Sequence, residues 1–116
     1  MAQILNLDTV ATLRDLGDDL VLDLIQTYVA ESDRLVSEIA AAAAAGNAAQ
    51  IGSLAHSLKG SSLNMGLEVI GEVGLRLEKC GKGGDVEGAK GLLPELEQKY
   101  AQTKQALAEL EKQLNV

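Results

Sequence analysis

The stretch GNAAQIGSLAHSLKGSSLNMG, Gly46 to Gly66, is closed by glycine at both ends and carries one apolar stripe at helical spacing. At about 100° per residue, Ile51, Leu54, Ala55, Leu58, Ser62 and Met65 share about 100° of arc, which predicts an amphipathic helix over about 48–65. Gly46-Asn47 supplies a C-cap for the preceding helix and an N-cap for this one, so the chain reverses there. His56, the only histidine, points about 150° away from the middle of the stripe. Its neighbours on the outward surface are Gly52, Ser53, Lys59, Gly60 and Leu63, at spacings of three, four and seven residues. The imidazole is thus mounted on a rigid helix and turned to water.

The same punctuation divides the rest of the chain. Residues 7–16 form a short first helix, with Asp8 or Thr9 at its N-cap and Gly17 as its stop. Asp18 or Asp19 opens a long helix to about residue 45, with Leu20, Leu24, Tyr28, Leu35 and Ile39 inward and a bend expected at Ser32-Asp33. Beyond Gly66, the residues Leu67, Ile70, Val73 and Leu77 mark a fourth helix over about 67–80. Gly71 and Gly74 inside it indicate either a close helix contact, with Gly74 on the inner face, or simply a less stable helix. Gly81–Gly84 reads as a flexible turn. Asp85 then caps a last helix over about 86–114, which Pro94 is expected to kink or split near Gly91. Leu96, Tyr100, Leu107, Leu110 and Leu114 continue its apolar stripe. The prediction is all-α: an antiparallel up-down four-helix bundle over residues 1–116 as a single domain, with the short N-terminal helix across one end.

Composition agrees and excludes several functions. The core is aliphatic; Trp and Phe are absent, and Tyr28 and Tyr100 are the only aromatics. No apolar run is long enough to span a membrane, and no signal-peptide pattern opens the chain. A net charge of −7 argues against nucleic acid or an anionic membrane as partner. Cys80 is alone, so it forms no internal disulfide, fits a reducing cytoplasm, and is read as a small apolar filler. Met1 and a last helix closing at Val116 point to a stand-alone protein, and its oligomeric state stays open between a monomer and pairing through the amphipathic tail after Pro94.

An enzyme with its own pocket needs convergent groups, and here they are scarce. One His and one Cys make no metal site. Gly81–Gly84 comes after a helix and lacks the spacing of a nucleotide loop, so no cofactor is expected. An outward imidazole has no obvious acid partner for a hydrolase triad. Covalent chemistry at His56 remains, because imidazole nitrogen is nucleophilic towards phosphorus and phosphoryl transfer asks mainly for positioning and charge compensation. Lys59 stands one turn on, where its ammonium can meet phosphoryl oxygens. Gly52 and Gly60 clear side chains from the approach. Ser53 and Leu63 fall on the same surface. Asn64, turned to one side, either contacts a partner or helps to end the helix.

The run Ala55-His56-Ser57-Leu58-Lys59-Gly60-Ser61-Ser62, continuing through Asn64 and Gly66, resembles the signature of histidine-containing phosphotransfer (HPt) domains of bacterial phosphorelays. Leu13–Asp19 resembles the family's opening turn, Leu77-Glu78 and Gly84-Asp85 its paired-helix boundary, and Leu92–Leu96 its last helix. The resemblance implies that His56 accepts a phosphoryl group from one receiver-domain aspartate and passes it to another, on the ring nitrogen farther from the backbone. Mg²⁺, a lysine and an acidic pocket would come from the receiver; a hybrid sensor kinase and response regulators would be the partners. Gly60 matches the glycine that admits the receiver. Ser62 matches a family position as well, but its phase turns it inward, as a core hydroxyl bonded to backbone. Leu67 stands where the family often has a small residue. Two other readings compete: a docking bundle that binds a receiver or kinase without turnover, and a stand-alone enzyme using His56 as general base.

Overall fold

In the computed structural model, which describes residues 1–115, five helices succeed one another: α1 (Leu7–Arg14), α2 (Asp18–Ala44), α3 (Ala48–Asn64), α4 (Glu68–Lys82) and α5 (Val86–Gln113). The last four form the antiparallel bundle and α1 lies at one end, within extents of 45 × 27 × 20 Å. Glycines with left-handed φ stand at each reversal: Gly17, Gly46, Gly66 and Gly84. Only glycine adopts that backbone freely, which is why the breaks are legible in the chain. The expected close of the chain at Val116 lies outside the described residues.

The apolar stripes meet in one core. Ile25, Leu35, Ile39, Ile51, Leu58, Leu67, Ile70, Leu77, Leu96 and Leu107 are among the fully buried side chains. Each such side chain stabilises the fold by about 1.5–3 kcal/mol relative to exposure. Both tyrosines are buried, and they anchor a polar chain through it. Tyr28 Oη lies 2.8 Å from Ser62 Oγ, and Ser32 Oγ lies 2.7 Å from Tyr100 Oη and donates to the Tyr28 carbonyl at 2.6 Å. The one hydrogen of the Tyr100 hydroxyl goes to Asp33 at 2.6 Å, which fastens α5 to α2 and leaves the Tyr100 oxygen facing Ser32 as an acceptor.

Several expectations need correction. Asn6, not Asp8 or Thr9, caps α1, accepting from the amides of both those residues. Leu20 is exposed; the inward stripe of α2 runs through Val21 and Ile25 instead. Helix α2 is continuous through Ser32-Asp33, where Ser32 donates back to the Tyr28 carbonyl and lies against Tyr100. Ser62 does face inward, but its partner is the Tyr28 hydroxyl rather than backbone. Helix α5 runs unbroken through Pro94, which is exposed, so water can satisfy the carbonyl that loses its donor. Helix α4 does not stop at Cys80 but continues through Gly81 to Lys82.

At the other end, the N-terminal segment completes α4. The Gln3 carbonyl accepts from the amides of Glu68 and Val69, which have no side-chain cap. Glu68 in return accepts from Gln3 N and Asn6 Nδ2, which holds its carboxyl below the usual carboxylate range. This strap fixes α1 over the α3–α4 turn.

Candidate functional site

Helices α3 and α4 approach so closely that backbone meets backbone. A Cβ on Gly81 would fall onto the backbone nitrogen of Gly52, and one on Gly74 would stand 3.2 Å from the Lys59 backbone. Gly74 is therefore on the inner face, where glycine permits the contact. Glu78 lies between these two glycines, one turn from each. Its carboxylate is carried along the seam to the outward edge of α3 with only 3 % of its side chain exposed.

There it meets three partners. Oε2 lies 2.8 Å from His56 Nδ1 and 2.8 Å from Lys82 Nζ, and Oε1 accepts from Lys59 Nζ at 2.8 Å. Lys59 foremost, then Lys82 and His56, hold the Glu78 carboxyl down at about pH 2 against the opposing effect of burial. An ionised carboxylate can only accept, so Nδ1 carries a proton, and in the neutral ring Nε2 keeps its lone pair. The imidazole remains 66 % exposed. A nucleophilic nitrogen thus faces water with its ring fixed from behind.

The surroundings are mostly small side chains, and among the described residues Glu78 is the one acid that lines them. An open groove of about 760 Å³ runs beside His56, lined by Ala49, Gly52, Ser53, Glu78, Gly81 and Lys82 among others. Between residues 39 and 67 the only charged side chain is Lys59, in a chain whose net charge is −7. Acidic side chains crowd α2 instead.

Of the residues read from the sequence, His56, Ser53, Gly60, Leu63 and Asn64 are exposed and Lys59 is half-buried, all on α3. Around Gly60 there is open space where a Cβ would stand. Leu63 lies over Gly71 of α4 while remaining 49 % exposed. Gly52 is different: it is buried, and its neighbour is Gly81 rather than water. Asn64 ends α3 beside a smaller groove shared with Leu24, Thr27 and Ser61.

Sequence reasoning misses two members of the cluster. Glu78 supplies the acid partner that the outward imidazole seemed to lack; it sits on the next helix, 22 residues away. Lys82 falls in the stretch that reads as a turn. Its spacing of four from Glu78 is the available signal, once α4 is extended by one turn. Cys80 is half-buried against the core.

A family model described as the Hpt domain matches residues 23–113. The chain belongs to the Hpt domain family. Its role is histidine phosphotransfer in two-component phosphorelays. Among solved structures, histidine-containing phosphotransfer protein B from Pseudomonas aeruginosa is similar at a TM-score of 0.92 and 26 % identity, over 99 % of this chain and 100 % of that one. A Medicago truncatula histidine-containing phosphotransfer protein is similar at a TM-score of 0.80 and 25 % identity, over 95 % of this chain and 80 % of that one. No curated protein sequence matches significantly. Among the described residues no helix is long and apolar enough to cross a membrane, and no group of three or more His, Cys, Asp or Glu is arranged to hold a metal ion.

Proposed function

We propose that His56 is the phosphoacceptor of this Hpt domain, taking a phosphoryl group from the aspartyl phosphate of one receiver domain and delivering it to the aspartate of another. The observation that carries the reading is the bond from Nδ1 to the buried Glu78 carboxylate, which leaves Nε2 free on an exposed ring. No other histidine exists in the chain to do this work.

In the transfer, the lone pair of Nε2 forms the N–P bond while the aspartyl O–P bond breaks, its electron pair leaving with the carboxylate. Nδ1 keeps its proton, so the ring becomes cationic against Glu78, which is ionised and already in contact. Glu78 is thus a positioning residue that also stabilises developing charge, much as the acid of a catalytic triad supports its histidine. Lys59 faces the phosphoryl oxygens, and the open space at Gly60 admits the receiver. Ser53, Leu63 and Asn64 give the receiver polar and apolar contacts on the same helix, and Gly52 contributes by packing. The acidic receiver pocket, with its Mg²⁺ and lysine, meets the region of α3 that lacks acidic side chains. This chain supplies no ATP site; it works in the cytosol, as a carrier between a hybrid sensor kinase and a response regulator.

Incubation with a phosphorylated receiver domain and Mg²⁺ is expected to label the chain in an acid-labile, base-stable form. His56→Gln abolishes the label with helicity by circular dichroism unchanged. Label surviving that substitution overturns the assignment; receiver binding without any label on the native chain points to a docking module instead.

A further inference from the structure

Glu78 is surrounded by more positive charge than it needs. Two ammoniums and one neutral imidazole converge on a single carboxylate, a local net charge of +1. Lys59 is 25 % exposed and bonded to Oε1, whereas Lys82 is 70 % exposed and reaches Oε2, the oxygen already taken by His56 Nδ1. One carboxylate charge balances one lysine, so the second ammonium is held in reserve.

We propose that Lys82 is a second phosphoryl-binding cation, which leaves Glu78 for the phosphoryl oxygens as the N–P bond forms at His56. This rests on His56 being the acceptor. The arriving group brings a charge of about −2, and the ring gains one positive charge as Nε2 is substituted. With both lysines the phosphorylated cluster is neutral; without Lys82 the phosphoryl group faces only Lys59, whose charge Glu78 already offsets. Departure of Lys82 also frees Oε2 to serve Nδ1 alone, when the ring most needs a counter-charge. Lys82 is exposed on a flexible four-carbon stem, and it stands beside the groove because Gly81, lacking a side chain, lets the last turn of α4 lie against α3.

Lys82→Met is expected to slow transfer from a phosphorylated receiver domain about tenfold and to shift the transfer equilibrium towards the receiver, as for loss of one positioned cation. Lys82→Arg restores the rate to within about threefold, because the charge and reach are kept. Lys79→Met, one turn from Arg76 on the same helix and outside the cluster, stays within about twofold, since an exposed charge acting at a distance is screened. In the native chain the Lys82 ammonium ¹⁵N resonance moves on phosphorylation, while in Lys82→Met the His56 ring resonances of the unphosphorylated form keep the Nδ1–H pattern. Transfer by Lys82→Met at the native rate, or an equal loss in Lys79→Met, overturns the assignment of Lys82. A native chain that takes no label, or label that persists in His56→Gln, overturns the acceptor reading itself.

Discussion

The α3–α4 pair and the α2–α5 pair both bring polar groups into their contact, and they differ in what those groups can reach. Between α2 and α5 the buried polar atoms are the hydroxyls of Ser32 and Tyr100, bonded to each other and to the Tyr28 carbonyl, with Asp33 taking the Tyr100 hydroxyl at the rim. Between α3 and α4 the helices touch through glycine, and the single polar group on the seam is a carboxylate delivered to the surface edge. The first arrangement fixes register inside the bundle, since each hydroxyl finds its partner only when the helices are correctly placed. The second holds charge at the boundary with water, where it can be exchanged with a visitor. Burial of polar groups therefore serves the scaffold on one side and the chemistry on the other.

The sharpest way to break that contrast is to cut one side at a time. Glu78→Ala frees the imidazole and removes its counter-charge, so transfer to His56 is expected to fall between about 10- and 100-fold, with the helices retained by circular dichroism. Glu78→Gln keeps an acceptor for Nδ1 without the charge and falls between that variant and the native chain. A Glu78→Ala chain that transfers normally would remove the distinction. Tyr100→Phe does the opposite. It leaves Ser32 and Asp33 without their hydroxyl partner and destabilises the bundle by about 1 kcal/mol in urea titration, with phosphotransfer unaltered.

A gentler separation comes from pH. Glu78 is held at about pH 2, below its ordinary value of 4.5, so its contribution to stability is complete above about pH 4.5 and is lost as the pH falls towards 2. The hydroxyls of Tyr28 and Tyr100 are pushed above 10.0, by burial first and, for Tyr100, by the bond to Asp33 next. Their contribution is complete below pH 10.0 and is lost as the pH rises beyond it. Stability measured against pH should accordingly lose its acid-side slope in part in Glu78→Gln and its alkaline-side slope in part in Tyr100→Phe. A reversed pairing of slopes and variants would show that the two regions had been misassigned.

The chain discloses its structure before folding along the same divide between local and distant. Helix breaks are legible because glycine is the residue that turns freely at Gly46 and Gly66, and the orientation of His56 because one helix has one phase. Lys59, three residues on, comes with it. Glu78 does not, because its distance from His56 depends on how closely two helices pack, and glycine spacing alone does not say which side chain the contact brings forward. Lys82 is hidden by a related ambiguity: a Gly-Lys-Gly-Gly run reads as a turn until Gly81 is found packed against Gly52. Gly52 itself belongs to the open surface by phase, although its missing side chain makes room for the neighbouring helix. Pro94 misleads in the other direction, since a proline on an exposed helix flank need not interrupt it.

The bond from His56 to Glu78 also bears on the regiochemistry of the proposed transfer. Free histidine offers two nitrogens to an electrophile, and a mixture of isomers results. Here a neighbouring helix occupies Nδ1 in advance, so on the proposed acceptor role any donor, whatever its shape, is expected to write its signal on Nε2 and any reader to find it there.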